Sequence, residues 1–300
     1  MAPTLAKWQI EDYVTFNDQQ QGLVDKRIAS VHEWHRKTQI PDYVAWLESA
    51  MQRIEPLARN NTNDAAPNAI KADSLTVEEL AKWREQAFGK FEPMFREIAT
   101  PFAEIVMTLT PAQLDEIQAQ IEARNKELRE EYFPKDADRA QDERVERWQN
   151  RLEFFLGDLT EKQQAWLDRR VRALPSTTGW WEGRLRRQTR MMALLRELTA
   201  SQPPLDEAVE QVLAVFKDFG EPTNTSEAER RAQVSLQSDQ MLADLLSIGP
   251  ARQYRHLRDL FGDFAADLRS IGDLPSAGSA QAHSARIVAR LAARWAPMPL

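Results

Sequence analysis

His32 and His35 lie three residues apart with Glu33 between them, in a segment of helical spacing. Imidazoles at i and i+3 share a helix face and can reach one metal ion. No third ligand is visible nearby, and the spacing is HExH, not the HExxH of zinc peptidases. Packing of the two rings against Tyr43 and Trp46 explains the same residues without a metal. His32 and His35 therefore stand as the metal candidates in a chain for which no metal and no cofactor is expected. There is no cysteine, which excludes disulfides, thiol nucleophiles and thiolate metal sites. GxSxG, GxGxxG and the P-loop pattern are all missing. The 46 carboxylates are interleaved with Arg and Lys at helical spacing, as in solvated i,i+4 pairs. No catalytic residue is assigned, and the chain is not expected to be an enzyme.

A second chemical feature is a concentration of arginine and tryptophan. Between Thr160 and Ala200 nine cations face four carboxylates, a local charge of +5 in a chain of net charge −7. Arg169, Arg170 and Arg172 form one cluster and Arg184, Arg186, Arg187 and Arg190 another, with Trp180 and Trp181 between them. These nine residues are the candidate binding surface, because Arg and Trp dominate the energetics of protein interfaces. They suit acidic or unfolded polypeptides, drawn first by charge and then held by apolar contact. The alternative is intramolecular: the arginines neutralise acidic helices around Asp206–Glu210 and Glu227–Glu229, and the tryptophans are core. The overall acidity, with pI near 5.4, opposes nucleic acid as a partner.

The elements that carry these residues read as helices throughout. Apolar residues recur at three- and four-residue steps in four stripes: Leu114–Leu128, Val145–Phe155, Leu205–Phe219 and Tyr254–Ile271. Each stripe is flanked by Glu, Arg, Gln and Asp, so one face is buried and the other wet. Runs of alternating Val, Ile and Thr are missing, and only ten glycines are present. The fold expected is all-α: about ten or eleven helices, paired in hairpins and packed into an elongated or curved bundle. Breaks fall at Pro134, at Pro175–Gly179, before Pro203-Pro204, at Gly220–Ser226 and at Gly272–Gly278. A flexible polar loop is expected over 58–74, inside a single domain of residues 1–300. No apolar run reaches the roughly 18–20 residues that a membrane span needs.

Two helix starts repeat. Leu109-Thr110-Pro111-Ala112-Gln113 and Leu159-Thr160-Glu161-Lys162-Gln163 lie 50 residues apart. Threonine caps an orphan backbone N–H, and glutamine three residues on reaches back to the cap. Leu109 can staple onto Leu114, whereas Leu159 has only Gln164 opposite it. Leu198-Thr199-Ala200-Ser201-Gln202 matches in letters, but Pro203-Pro204 follows, so it is not read as a start.

Paired LTxxQ helix starts resemble the LTXXQ-motif periplasmic proteins, the Spy and CpxP group. Glu11-Asp12-Tyr13-Val14, Trp34-His35-Arg36 and Ile40-Pro41-Asp42-Tyr43 resemble a family of bacterial lipoproteins of unknown function with a DDYV and WHRxxxLPxY pattern. Leu242–Leu246 and Gln253–Leu260 resemble its C-terminal helix pair. The resemblance implies an exported, periplasmic protein, anchored to the outer membrane by a lipid that this chain does not itself carry. Met1-Ala2-Pro3-Thr4 leads directly into amphipathic sequence, with no signal peptide or lipobox cysteine, so a cytoplasmic location is the alternative. The function expected is non-enzymatic binding of other proteins, chaperone-like or stress-related, through amphipathic helices. The alternatives are a scaffold for one defined partner and a metal sensor at His32 and His35. Oligomeric state is not written in the sequence.

Overall fold

The computed structural model describes residues 7, 9–59, 74–133, 136–174, 178–220, 222 and 224–273. Their helices are α1 (Asp18–Trp34), α2 (Ile40–Arg59), α3 (Val77–Gly89), α4 (Phe91–Val106), α5 (Pro111–Tyr132), α6 (Ala137–Leu156), α7 (Glu161–Arg172), α8 (Thr178–Ser201), α9 (Leu205–Gly220), α10 (Thr225–Ser247) and α11 (Ala251–Asp273). No strand occurs among the described residues, and the fold is an all-α multi-helix bundle.

Two cores organise it. The first joins α1, α4, α5, α8 and α9 around Val24, Ala99, Leu114, Leu198 and Val212. The second joins α2, α3, α6, α7, α10 and α11 around Ile54, Leu156, Leu167, Leu245 and Tyr254. In the second core α2 and α11 run antiparallel along their full length. Arg36 Nη1 donates to the Gly272 carbonyl at one end, Arg255 Nη1 donates to the Ala58 carbonyl at the other, and Arg269–Glu48 and Arg258–Glu55 ion pairs lie between. In the first core α5 and α8 are antiparallel: Asn125 meets Gln188, and Tyr132 stacks on Trp180. Phe95 and Phe102 of α4 clasp Phe216 of α9 at ring separations of 5.6 and 5.3 Å.

Local chemistry explains the breaks. Pro41, which has no N–H and crowds the carbonyl of residue 37, follows a π-helical turn, His35–Gln39, that links α1 to α2. Gly157 ends α6 at φ 70°, a conformation that glycine adopts without strain. Leu198–Gln202 closes α8 and starts no helix: Gln202 sits at φ 46°, and its Nε2 donates to the carbonyls of Met107 and Thr199. The expected loop over 58–74 starts later than its composition suggests. Helix α2 runs to Arg59, because Ala58 is buried at 2% exposure and its carbonyl accepts from Arg255. Residues 60–73 lie outside the described residues, as do Pro134, 175–177 and the segment from 274 onward. No described helix is long and apolar enough to cross a membrane.

Candidate functional site

The two LTxxQ starts close as capping boxes. The N–H of Gln113 donates to Thr110 Oγ1 at 3.3 Å and the N–H of Gln163 to Thr160 Oγ1 at 3.2 Å, while each glutamine Oε1 accepts from its threonine N–H at 3.0 Å. Leu109 and Leu114 are both buried in the first core, and Leu159 is buried in the second. The glutamines also do something the pattern alone does not reveal. Gln113 forms a reciprocal amide pair with Gln20, at 2.8 and 3.0 Å, and Gln163 forms the same pair with Gln253, at 2.8 and 2.9 Å. All four occupy the third position of their helices, α5, α1, α7 and α11. Gln20 then donates to the Thr108 carbonyl and Gln253 to the Asp158 carbonyl, each just before the LT leucine. Each lock ties a helix start of one hairpin to that of a distant helix, 93 and 90 residues away. Gln163 and Gln253 are 0% and 1% exposed, so every amide atom must find its partner inside the protein. Asn17-x-x-Gln20 is itself a capping box, which is the sequence signal for the first partner. Pro250-x-x-Gln253 lacks an N–H at the cap, which hides the second.

The arginine–tryptophan residues are divided between α7 and α8. Arg169 and Arg170 are exposed on the last turn of α7, where cations favour the helix C-terminus. Arg172 bridges to Asp168 at 2.9 Å and to Asp142 of α6 at 2.5 Å. Arg184 donates to Asn125 at 3.2 Å. Arg186 reaches Glu227 of α10 at 3.7 Å, and Arg190 is exposed on α8. Trp180 stacks on Tyr132 at 5.5 Å, and Trp181 packs edge-on against Phe133 at 5.8 Å. Only Trp180 and Arg187 of the nine line the recess described next.

A cleft of about 1610 Å³ opens between the two cores, walled by α3, α6 and α10 on one side and α4, α8 and α9 on the other. This exceeds the roughly 300–1,000 Å³ of small-molecule sites and suits a polymer segment. Nine basic side chains line it against four acidic ones, a local excess of +5. Along α6, Arg144, Arg147 and Arg151 fall on one face with Trp148 among them. Arg147 lies over the Tyr132 ring at 4.7 Å, and Arg144 donates to the Leu174 carbonyl, so the cations are held in place. Burial pushes the guanidiniums of Arg144, Arg151 and Arg187 below their ordinary range; Arg147 adds to this at Arg144, and Arg231 adds to it at Arg187. Cations crowded in this way favour an incoming anion. Phe88, Phe91 and Leu236 stand at the rim, 53%, 50% and 60% exposed. The Val145, Trp148, Leu152 and Phe155 stripe does pack into the second core, and the cleft wall is the arginine row beside it, which the stripe alone does not reveal. The i, i+3, i+7 arginines beside Trp148 were the available signal.

His32 is buried, and its Nε2 has no hydrogen-bond partner. His35 tilts against Tyr43 at 5.6 Å, and burial holds its pKa down at about 4. Trp46 packs on Phe261 of α11. Among the described residues no group of three or more His, Asp or Glu gathers as a metal site would require.

Fold and site together define a class: an all-α bundle with a cationic, aromatic cleft between two cores. Within that class the chain belongs to DUF6279, a family of unknown function, whose sequence model matches residues 12–218. That match spans both LTxxQ starts and ends before α10. Comparison with curated proteins and with solved structures finds no match.

Proposed function

We propose that this protein binds other polypeptides in the cleft between its cores, in a chaperone-like manner and without a chemical step. The observation that carries the reading is the cleft itself. It has the size of a polypeptide segment, aromatic walls, and a positive excess inside a chain of net charge −7. Arginine and aromatic side chains give the most binding energy per residue when water is excluded around them, and the local positive excess of the cleft favours acidic segments at close range. The phenylalanines at the rim offer apolar contact to an unfolded segment that exposes its own. The resemblance of the Glu11–Val14, Trp34–Arg36 and Ile40–Tyr43 segments to envelope lipoproteins, and of the LTxxQ starts to the Spy and CpxP group, supports a periplasmic, lipid-anchored setting for this activity.

The test is light scattering of a chemically denatured acidic protein, diluted into buffer with a stoichiometric amount of this one. Wild type is expected to suppress aggregation. The double variant Arg147→Glu/Arg151→Glu, which reverses charge along the α6 wall, is expected to need about tenfold more protein for the same effect. A wild-type protein that leaves aggregation unchanged sinks the proposal.

A further inference from the structure

The first half of α10 differs from the second. Met241, Ala243, Leu245 and Leu246 are buried in the second core, whereas Thr225, Ser226, Glu229, Ala232, Gln233 and Leu236 are exposed. The stretch from Glu227 to Asp239 forms one wall of the cleft. At its inner end Asp239 receives Arg84 of α3 through both carboxylate oxygens, at 3.0–3.2 Å, and pins the helix there. At its outer end the attachment is to α8. Gly179 and Gly183 lie four residues apart on one face of α8, and the missing side chains leave a groove. A Cβ on Gly179 would lie 3.2 Å from Cζ of Arg230, and one on Gly183 would lie 4.0 Å from Oε1 of Glu227. Glu227, 4% exposed, sits in that groove and pairs with Arg231 at 2.9 Å and with Arg186 of α8 at 3.7 Å.

We infer that the first half of α10 is a releasable latch, with Glu227 gathered beside Arg186 and the cleft-lining Arg187 of α8 at Gly183, where an acidic client's carboxylate would otherwise sit. A buried carboxylate among arginines from two helices already displays the contact that such a client would make. The latch rests on the binding activity proposed above and adds its regulation. The segment is suited to local opening: from 225 to 238 only Glu227 is buried, so little apolar area holds it down. Opening at the outer end leaves the Arg84–Asp239 pin and the core beyond it intact. A client that binds only the open form meets a population penalty, which any change that weakens the latch removes.

The experiment uses the full chain, with amide hydrogen exchange as one readout and binding of a fluorescein-labelled Glu/Leu amphipathic peptide as the other. Glu227→Gln is expected to speed exchange over 228–238, leave 241–247 unchanged, and tighten peptide binding about tenfold. Gly179→Val, which alters no charge, is expected to do the same by crowding Arg230 out of its groove, and it decides the matter should Glu227→Gln fail to fold. Unchanged exchange in both variants overturns the latch. Faster exchange with unchanged or weaker binding also overturns it, since Glu227 is then structural only. Peptide binding by wild type without any change in exchange leaves the proposed function standing alone. Absence of binding in wild type and both variants removes the proposed function and the competition together.

Discussion

Gln163 shows what a single side chain does in this bundle. Its amide caps α7, pairs with Gln253 and donates to the Leu245 carbonyl, all out of water. Replacing it by alanine strands the Gln253 amide oxygen and that carbonyl, and each unsatisfied group costs about 1–3 kcal/mol. Gln163→Ala is expected to lower the urea midpoint by an amount equivalent to about 3 kcal/mol, with the m-value unchanged. Gln113→Ala, where Thr110 and Thr15 are more exposed to water, is expected to cost about half as much. Equal effects would mean that burial is not what makes the second lock strong. His35 adds a pH term of fixed sign. Burial holds its folded pKa near 4, whereas the unfolded imidazole titrates near the ordinary 6.5. The unfolded chain therefore takes up the proton first on acidification. Stability is full above about pH 6.5 and falls as pH drops toward 4, by up to about 1.4 kcal/mol per unit. Solvent around the partly exposed ring reduces that slope. Burial lowers the His32 pKa too and gives the same sign. Glu33, drawn down to about 2 by its hydrogen bonds from Arg36, loses its contribution only below about pH 4.5. A melting temperature that is flat from pH 7 to 4.5 would contradict the buried neutral state, and His35→Gln is expected to flatten it.

Helix boundaries follow from short-range chemistry, and most of them were legible. Thr110 and Thr160 announce α5 and α7, and residues of each apolar stripe enter the cores, although Leu205 at the head of its stripe is 38% exposed. What sequence could not give is pairing at a distance. Nothing in Leu109–Gln113 names Gln20 as its partner, because the contact depends on how α1 lies across the head of α5. The same holds for the cleft. Arg147 and Trp148 lie on α6, Trp180 on α8 and Phe216 on α9, and only packing of the two cores brings them together. The Thr160–Ala200 charge excess was legible, yet Arg172 is paired across the α6–α7 hairpin and Arg186 reaches α10. A charge count over consecutive residues ignores which side of each helix a cation occupies. The α3–α10 pin is equally invisible from sequence. Asp239 is 6% exposed and held by Arg84 through both oxygens. Asp239→Ala leaves a largely buried guanidinium uncompensated, and a loss of about 3 kcal/mol is expected in thermal or urea unfolding. A loss below about 0.5 kcal/mol would place the pair among ordinary surface bridges.

For the molecule as a whole, charge is distributed against its own average. An exterior that makes the chain net −7 surrounds a cleft with a +5 excess. Such an arrangement repels polyanions at long range and admits acidic segments at close range, where arginines shielded from water act over a shorter distance. Exposed charges are screened beyond about 10 Å at 0.1 M salt, whereas partly buried ones are screened much less. Binding of an acidic peptide is therefore expected to respond to salt in two parts. Raising NaCl from about 50 mM to about 500 mM should speed association several-fold by screening the long-range repulsion, while dissociation changes little because Arg144, Arg151 and Arg187 remain desolvated. Stopped-flow tryptophan fluorescence reads both rates, since Trp148 and Trp180 line the cleft. Rates that ignore salt would assign binding to the apolar rim at Phe88 and Phe91 alone. A dissociation rate that rises steeply with salt would place the client on exposed cations such as Arg169 and Arg170, outside the cleft.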